Sequence, residues 1–94
     1  MRIVFDPEAL NDLEAQLTYL IEQGAASTAI RLESRLVAFI ERVLANHPRT
    51  GVQVAERGLW ESWVPGTRIV IWYRFTRDEL QIVRIWHTSR DRNR

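Results

Sequence analysis

Apolar residues along this 94-residue chain change their spacing twice, and each change marks a new kind of element. Arg2-Ile3-Val4-Phe5 is a short apolar run that predicts a strand. Asp6-Pro7-Glu8 then reads as a helix start, with Asp as N-cap, Pro at the first helical position and Glu in the first turn. Leu10, Leu13, Leu17, Leu20 and Ile21 recur at helical spacing until Gly24 ends the segment. A second helix is predicted from about Ser27 to Ala45, with Ala29, Leu32, Leu36, Phe39, Ile40 and Val43 as its buried stripe. Asn46-His47-Pro48 stops it. The short link between the two predicts an antiparallel helical hairpin. Residues 49–58 carry no clear period and read as loop. Three strands follow, at about 59–64, 67–75 and 79–87, with turns at Pro65-Gly66 and Arg77-Asp78. The order is β-α-α-β-β-β. It predicts one α+β domain spanning residues 1–94, its N-terminal helical hairpin packed on a mostly antiparallel sheet.

A two-residue turn at Arg77-Asp78 also predicts a register. Phe75 falls opposite Leu80, Tyr73 opposite Ile82, Ile71 opposite Arg84 and Ile69 opposite Trp86. The other face sets Arg68 opposite His87. The first set is the more apolar and should face the helices. Arg84 breaks that pattern, which leaves a bulge or a slipped register open.

Composition narrows the function classes. There is no cysteine, so neither a disulfide framework nor a thiolate metal site can form. No run approaches the roughly 20 apolar residues of a membrane span, and the apolar run at residues 3–5 is too short for a signal peptide. A cytoplasmic protein without membrane association is the expectation. All thirteen basic side chains are arginine. Coding bias explains that bluntly, but it leaves no side-chain amine to act as a base. The charge is also uneven: residues 1–47 carry four arginines and seven acids (4 − 7 = −3), residues 48–94 nine arginines and five acids (9 − 5 = +4).

Several groups could carry function. A histidine beside an arginine suits acid–base cleavage of a phosphodiester, so Arg68 and His87 are the candidate catalytic pair. The structural alternative is a strand-end histidine beside an arginine paired with Asp91 or Glu61. Arg90, Arg92 and Arg94 form either a basic docking arm or a solvated terminus. Trp63 and Trp86 read as core, Trp60 and Trp72 as interface residues. Arg31, Arg35 and Arg42 share one face of the second helix, as a partner surface or as a solvated stripe paired with Glu8, Glu14 or Glu22. His47, at a helix end before Pro48, reads as structural. No glycine-rich phosphate loop, metal-ligand spacing or nucleophile–base motif is present, so no metal and no cofactor are expected.

Four stretches then resemble one family. They are Val4-Phe5-Asp6-Pro7-Glu8-Ala9-Leu10-Asn11-Asp12-Leu13, Ala29-Ile30-Arg31-Leu32, Leu44-Ala45-Asn46-His47-Pro48-Arg49-Thr50-Gly51 and the close Ile82-Val83-Arg84-Ile85-Trp86-His87-Thr88-Ser89-Arg90-Asp91. In this order they are similar to the ParE branch of the RelE/ParE superfamily, the toxins of type II toxin–antitoxin modules. The resemblance implies a toxin that poisons DNA gyrase and arrests growth. It also implies a ParD-like antitoxin in a hetero-oligomer, with operator DNA reached only through that antitoxin. The alternative it implies is a RelE-like, ribosome-dependent mRNA endonuclease using Arg68 and His87. Against that stand the absence of any lysine and of any aromatic after Trp86. Trp60 departs from the family pattern, which often has arginine there. The basic surface supplies the expected contacts: Trp60, Arg68, Trp72, His87, Arg90 and Arg92 toward the target, and Arg31, Arg35, Arg74 and Arg84 toward the antitoxin.

Overall fold

A computed structural model describes residues 1–54 and 58–88. Strand β1 spans Arg2–Phe5, helix α1 Pro7–Glu22 and helix α2 Ala26–Phe39. The second helix runs on into a π-turn, Ile40–Leu44, and a short 3-10 turn covers Pro48–Thr50. Strands β2 (Val52–Gln53), β3 (Trp60–Trp63), β4 (Ile69–Phe75) and β5 (Glu79–His87) complete the chain. The sheet order is β1-β5-β4-β3-β2. All pairs are antiparallel except β1 with β5, which run parallel as first and last strands of the chain. The predicted α+β order therefore holds, and the aperiodic stretch 49–58 hides a two-residue edge strand. Among the described residues no helix is long and apolar enough to cross a membrane.

Local signals explain the helix ends, with one surprise. Gly24, at φ +78°, closes α1: its N–H donates to the Ile21 carbonyl and the Ala25 N–H to that of Leu20, a Schellman arrangement. Asp6 sits at the N-cap without capping through its side chain. Its Oδ1 instead accepts Gln81 Nε2 at 2.7 Å, tying the helix start to β5. The facing of α1 also differs from the periodicity. Ala9 and Gln16 are the buried positions, while Leu10 and Ile21 lie exposed. Leu13 still packs against the core and Leu17 and Leu20 are half-buried, so the stripe departs from the periodicity at its two ends. In α2 the predicted stripe holds from Ala29 to Ile40, but in the π-turn the fully buried Leu44 takes the place of the half-buried Val43.

The core lies between the helices and one face of the sheet, with Ile69, Ile71, Tyr73, Leu80, Ile82 and Ile85 opposite Leu36, Ile40 and Leu44. Tyr73 fastens the chain entering the sheet: its hydroxyl donates to the Pro48 carbonyl at 2.7 Å and accepts the Gly51 N–H at 3.2 Å. Tyr73→Phe is expected to cost about 1–2 kcal/mol in urea unfolding, because two part-buried backbone groups lose their partner. Burial pushes the phenol above its ordinary pKa of 10.0, partly countered by the Gly51 N–H. A raised folded-state pKa means the contribution is intact below pH 10 and lost as pH climbs through the folded value. Unfolding at increasing alkaline pH should show that loss, and Tyr73→Phe should lessen it.

Candidate functional site

The geometry of the sheet's far end is set by one irregularity in β5. Pairing with β4 follows the predicted register from Phe75↔Leu80 to Tyr73↔Ile82, then jumps to Trp72↔Arg84. The extra residue is Val83. β1 stops pairing at Ile82, so the edge of β5 beyond it is open to α1. Asp12 fills it. Its Oδ2 accepts the Ile85 N–H at 2.9 Å and Arg84 Nε at 2.7 Å, and its Oδ1 accepts Arg84 Nη2 at 2.9 Å. The Arg84 guanidinium lies over the Trp86 ring, 4.0 Å from its centroid. The charged residue that interrupted the apolar pattern thus marks a bulge that turns it away from the core.

That shift corrects every predicted pair beyond Tyr73 and Ile82: Ile71 faces Ile85 rather than Arg84, Ile69 faces His87 rather than Trp86, and Val70 faces Trp86. Arg68 does not oppose His87; its carbonyl accepts the Thr88 N–H at 2.9 Å. The two side chains still line one recess of about 220 Å³, floored by Leu20, Leu32 and Ile69 and reached also by Gln16. Among the described residues no carboxylate lines it. Its volume is below the roughly 300 Å³ at which small-molecule sites begin. His87 is half-buried on the helix side, and Arg68 is exposed, with no side-chain partner among the described residues.

Among the described residues the opposite sheet face carries no helix. Across it run the rows Glu61–Trp72–Arg84 and Trp63–Val70–Trp86. Trp72 and Trp86 meet edge-on at 5.3 Å. Trp86 is buried as read from the sequence, but Trp63 is 55% exposed, not core. Trp60, read as an interface residue, turns to the helix side and packs on Phe75 at 5.4 Å. Alternation along Trp60-Glu61-Ser62-Trp63 was the missed signal: Trp63 must share the face of Glu61.

Arginines expected to meet partners fall into three settings. Arg84 is held by Asp12 and Trp86. Arg74 is exposed at the open face, opposite Gln81. Arg31 and Arg35 border a cleft between α2 and the turn joining β3 to β4. Among the described residues neither they nor Arg42 pairs with Glu8, Glu14 or Glu22. Arg31 Nη2 donates to Thr28 Oγ1 at 3.3 Å, and Arg35 Nη1 to the Pro65 carbonyl at 3.2 Å. His47 is exposed beyond the π-turn, its N–H on the Val43 carbonyl and its own carbonyl on Thr50. Arg90 and Arg92 lie outside the described residues.

Comparison with known proteins decides the family. The profile described as "ParE toxin of type II toxin-antitoxin system, parDE" matches residues 3–92. The chain belongs to the ParE toxin family. Comparison with curated protein sequences gives no match. Among solved structures, the ParE toxin fold recurs in the chromosomal ParDE toxin–antitoxin system from P. aeruginosa, at a TM-score of 0.78 and 18% identity over 93% of this chain and 95% of that one. The RelBE2 toxin–antitoxin complex from Mycobacterium tuberculosis follows at 0.67 and 21%, over 92% and 88%. YafQ from E. coli reaches 0.54 and 14%, over 95% and 96%. At these identities the structures speak for the fold alone. Family membership makes this ParE-type chain the toxin of a type II module.

Proposed function

We propose that this toxin acts by docking on DNA gyrase and trapping its cleaved DNA, and that a ParD-like antitoxin holds it inactive in a hetero-oligomeric complex. The observation carrying this reading is the ParE profile match over residues 3–92. The antitoxin follows from the same match and from likeness to chains in ParDE and RelBE2 systems. What favours gyrase over messenger RNA is the far end of the sheet. A nuclease needs a base, an acid and phosphate-binding cations converging on one backbone. Here His87 and Arg68 border a small, apolar-floored recess, and Arg84 is held by Asp12. Docking is assigned to the exposed Arg68, the open-face Trp72 and the basic C-terminal arginines Arg90 and Arg92, with Trp60 and His87 at the margin.

The test is a gyrase cleavage assay with purified toxin, plasmid and ATP. Linear DNA trapped on the enzyme, lost when antitoxin is added, is the expected result. His87→Ala should leave killing within about threefold of the parent, whereas loss of a general acid–base group costs roughly 10²–10⁴-fold. Absent gyrase cleavage, with killing abolished in a folded His87→Ala chain, would transfer the function to RNA cleavage on the ribosome.

A further inference from the structure

A second basic site lies at the end of β4 away from Arg68. It is a recess of about 410 Å³ bordered by Met1, Pro48, Arg49, Phe75, Thr76 and Arg77. Arg49 comes from the 3-10 turn after α2, and Arg77 from the turn joining β4 to β5. Among the described residues no carboxylate borders the recess. Glu79, two residues beyond Arg77, is already paired with Arg2 at 2.6 Å, and Asp78 stands exposed between them. Arg74 is exposed at the same end of β4.

The fold positions these arginines by contacts that leave their donors unspent. The Tyr73 hydroxyl grips the Pro48 carbonyl and the Gly51 N–H, so the backbone is clamped on both sides of Arg49. The Arg49 guanidinium lies over the Phe75 ring, 5.4 Å from its centroid. That ring packs in turn on Trp60 at 5.4 Å and on Tyr73 at 6.4 Å. Stacking uses the flat face of a guanidinium and leaves the N–H groups at its edge free to donate. The turn carrying Arg77 is closed by Thr76, whose Oγ1 accepts the N–H of Asp78 at 3.3 Å and of Glu79 at 3.2 Å. Among the described residues the side chains of Arg49, Arg74 and Arg77 make no hydrogen bond and no ion pair. Each therefore offers five donors to something outside the chain.

We infer that this recess grips backbone phosphates of DNA, so that the toxin holds the cleaved DNA as well as the enzyme, a role that rests on the gyrase reading above. A guanidinium fork matches the oxygens of a phosphate bidentately, and one held flat on a ring is already oriented for it. A protein partner would need an apolar or aromatic anchor at the centre of its contact. The recess offers little of that kind. The Phe75 ring is covered by Arg49, and Met1 is the one large apolar residue of its border that stands exposed among the described residues. Strand β4 spans Ile69–Phe75, which sets this site about 20 Å from Arg68 at roughly 3.3 Å per residue. Contact with gyrase at one end of the sheet and with DNA at the other can therefore coexist.

The test is binding of the full chain to a fluorescein-labelled DNA duplex, read by anisotropy at about 50 and about 200 mM salt. Each phosphate contact contributes about 0.9 to the slope of log Kd against log salt. Arg49→Gln/Arg77→Gln removes two, so the rise in Kd between the two salt concentrations should shrink about 12-fold. Arg77→Gln alone, in an exposed turn, should shrink it about threefold, and Arg77→Lys should keep the parent's slope. Arg42→Gln, on α2 beside Glu33 and Glu41, should leave the salt response within about twofold of the parent. Circular dichroism melts establish that each variant is folded. In the gyrase cleavage assay the double variant should trap less linear DNA than the parent. A salt response unchanged in the double variant, or no duplex binding by the parent, overturns the inference. Linear DNA still trapped by the parent in that case leaves the gyrase reading standing. Duplex binding lost through these arginines, from a parent that traps no linear DNA, supports the phosphate site and sinks only the gyrase reading. If inorganic phosphate binds the parent and the duplex does not, the recess is a small-anion site and the inference falls. It falls also if poly-glutamate displaces the duplex from the parent and loses its own binding in the double variant more than the duplex does, which would make this a site for an acidic protein segment.

Discussion

Asp12→Ala is expected to lower the unfolding free energy by about 3 kcal/mol and the melting temperature by about 15 °C. Asp12 is one of the few carboxylates withdrawn from water, at 16% side-chain exposure, and it meets Arg84 at 27%. Three donors converge on it: the Nε and Nη2 of Arg84 and the N–H of Ile85. Removing the carboxylate strands all three at the place where β5 has lost its neighbour β1. The cost is the desolvation of an uncompensated cation and a backbone N–H, not just one missing attraction. Arg84→Met should cost less, about 1–2 kcal/mol, because the Ile85 N–H keeps its acceptor and a long apolar chain still covers Trp86. The two substitutions together should fall short of the sum of the singles, the signature of groups that act as a unit. Urea unfolding of the four proteins in the cycle measures this. An Asp12→Ala cost under about 1 kcal/mol would reduce the contact to an ordinary surface pair.

Gly51→Ala should destabilise the fold by about 2 kcal/mol, more than the removal of the Tyr73 hydroxyl. A Cβ at Gly51 would stand 2.5 Å from the Glu61 carbonyl oxygen and 2.5 Å from the Tyr73 hydroxyl. One is backbone of β3, and the other is the group that holds Pro48 and Gly51 against the sheet. Neither can yield cheaply. Gly51 has φ −76°, an ordinary value, so this glycine is required by close approach rather than by backbone conformation. Alanine gains a little through the unfolded state, roughly 0.4–1 kcal/mol, which offsets only part of the collision. In the Tyr73→Phe background one of the two collisions disappears, so Gly51→Ala should cost less there. Thermal melts of the single and double variants test this. Equal costs in both backgrounds would place the strain at Glu61 alone.

Sequence reasoning reached most of the fold through features that act locally. The Asp-Pro-Glu start, the α2 stripe, the Gly24 stop and the two turns each depend on a handful of neighbouring residues. Where neighbours in space took over, the reading slipped. Asp6 had the right type for an N-cap, but Gln81 from another strand took its side chain. Leu10 and Ile21 fit a helical period, yet both lie exposed at the two ends of the α1 stripe. Trp63 was read as core because tryptophan usually is, although strand alternation puts it on the helix-free face.

By itself the sequence determined the element order, the helix-facing half of the sheet, the register nearest the β4–β5 turn and the family. These follow from periodicity, turn chemistry and ordered short motifs, none of which needs distant contacts. Only the tertiary structure decided where the site residues stand. A carboxylate from α1 satisfies the bulged edge of β5, shifts every residue after Ile82 and moves Arg68 from opposite His87 to opposite Thr88. Likewise Arg31 and Arg35 border a cleft with Gly66 and Thr67, and Arg68 an adjoining recess, because the β3–β4 turn packs against α2. A one-residue slip reverses the facing of a strand, and a helix's rotation on a sheet is set by which side chains fit beneath it. Both are properties of packing between segments, which no single segment encodes.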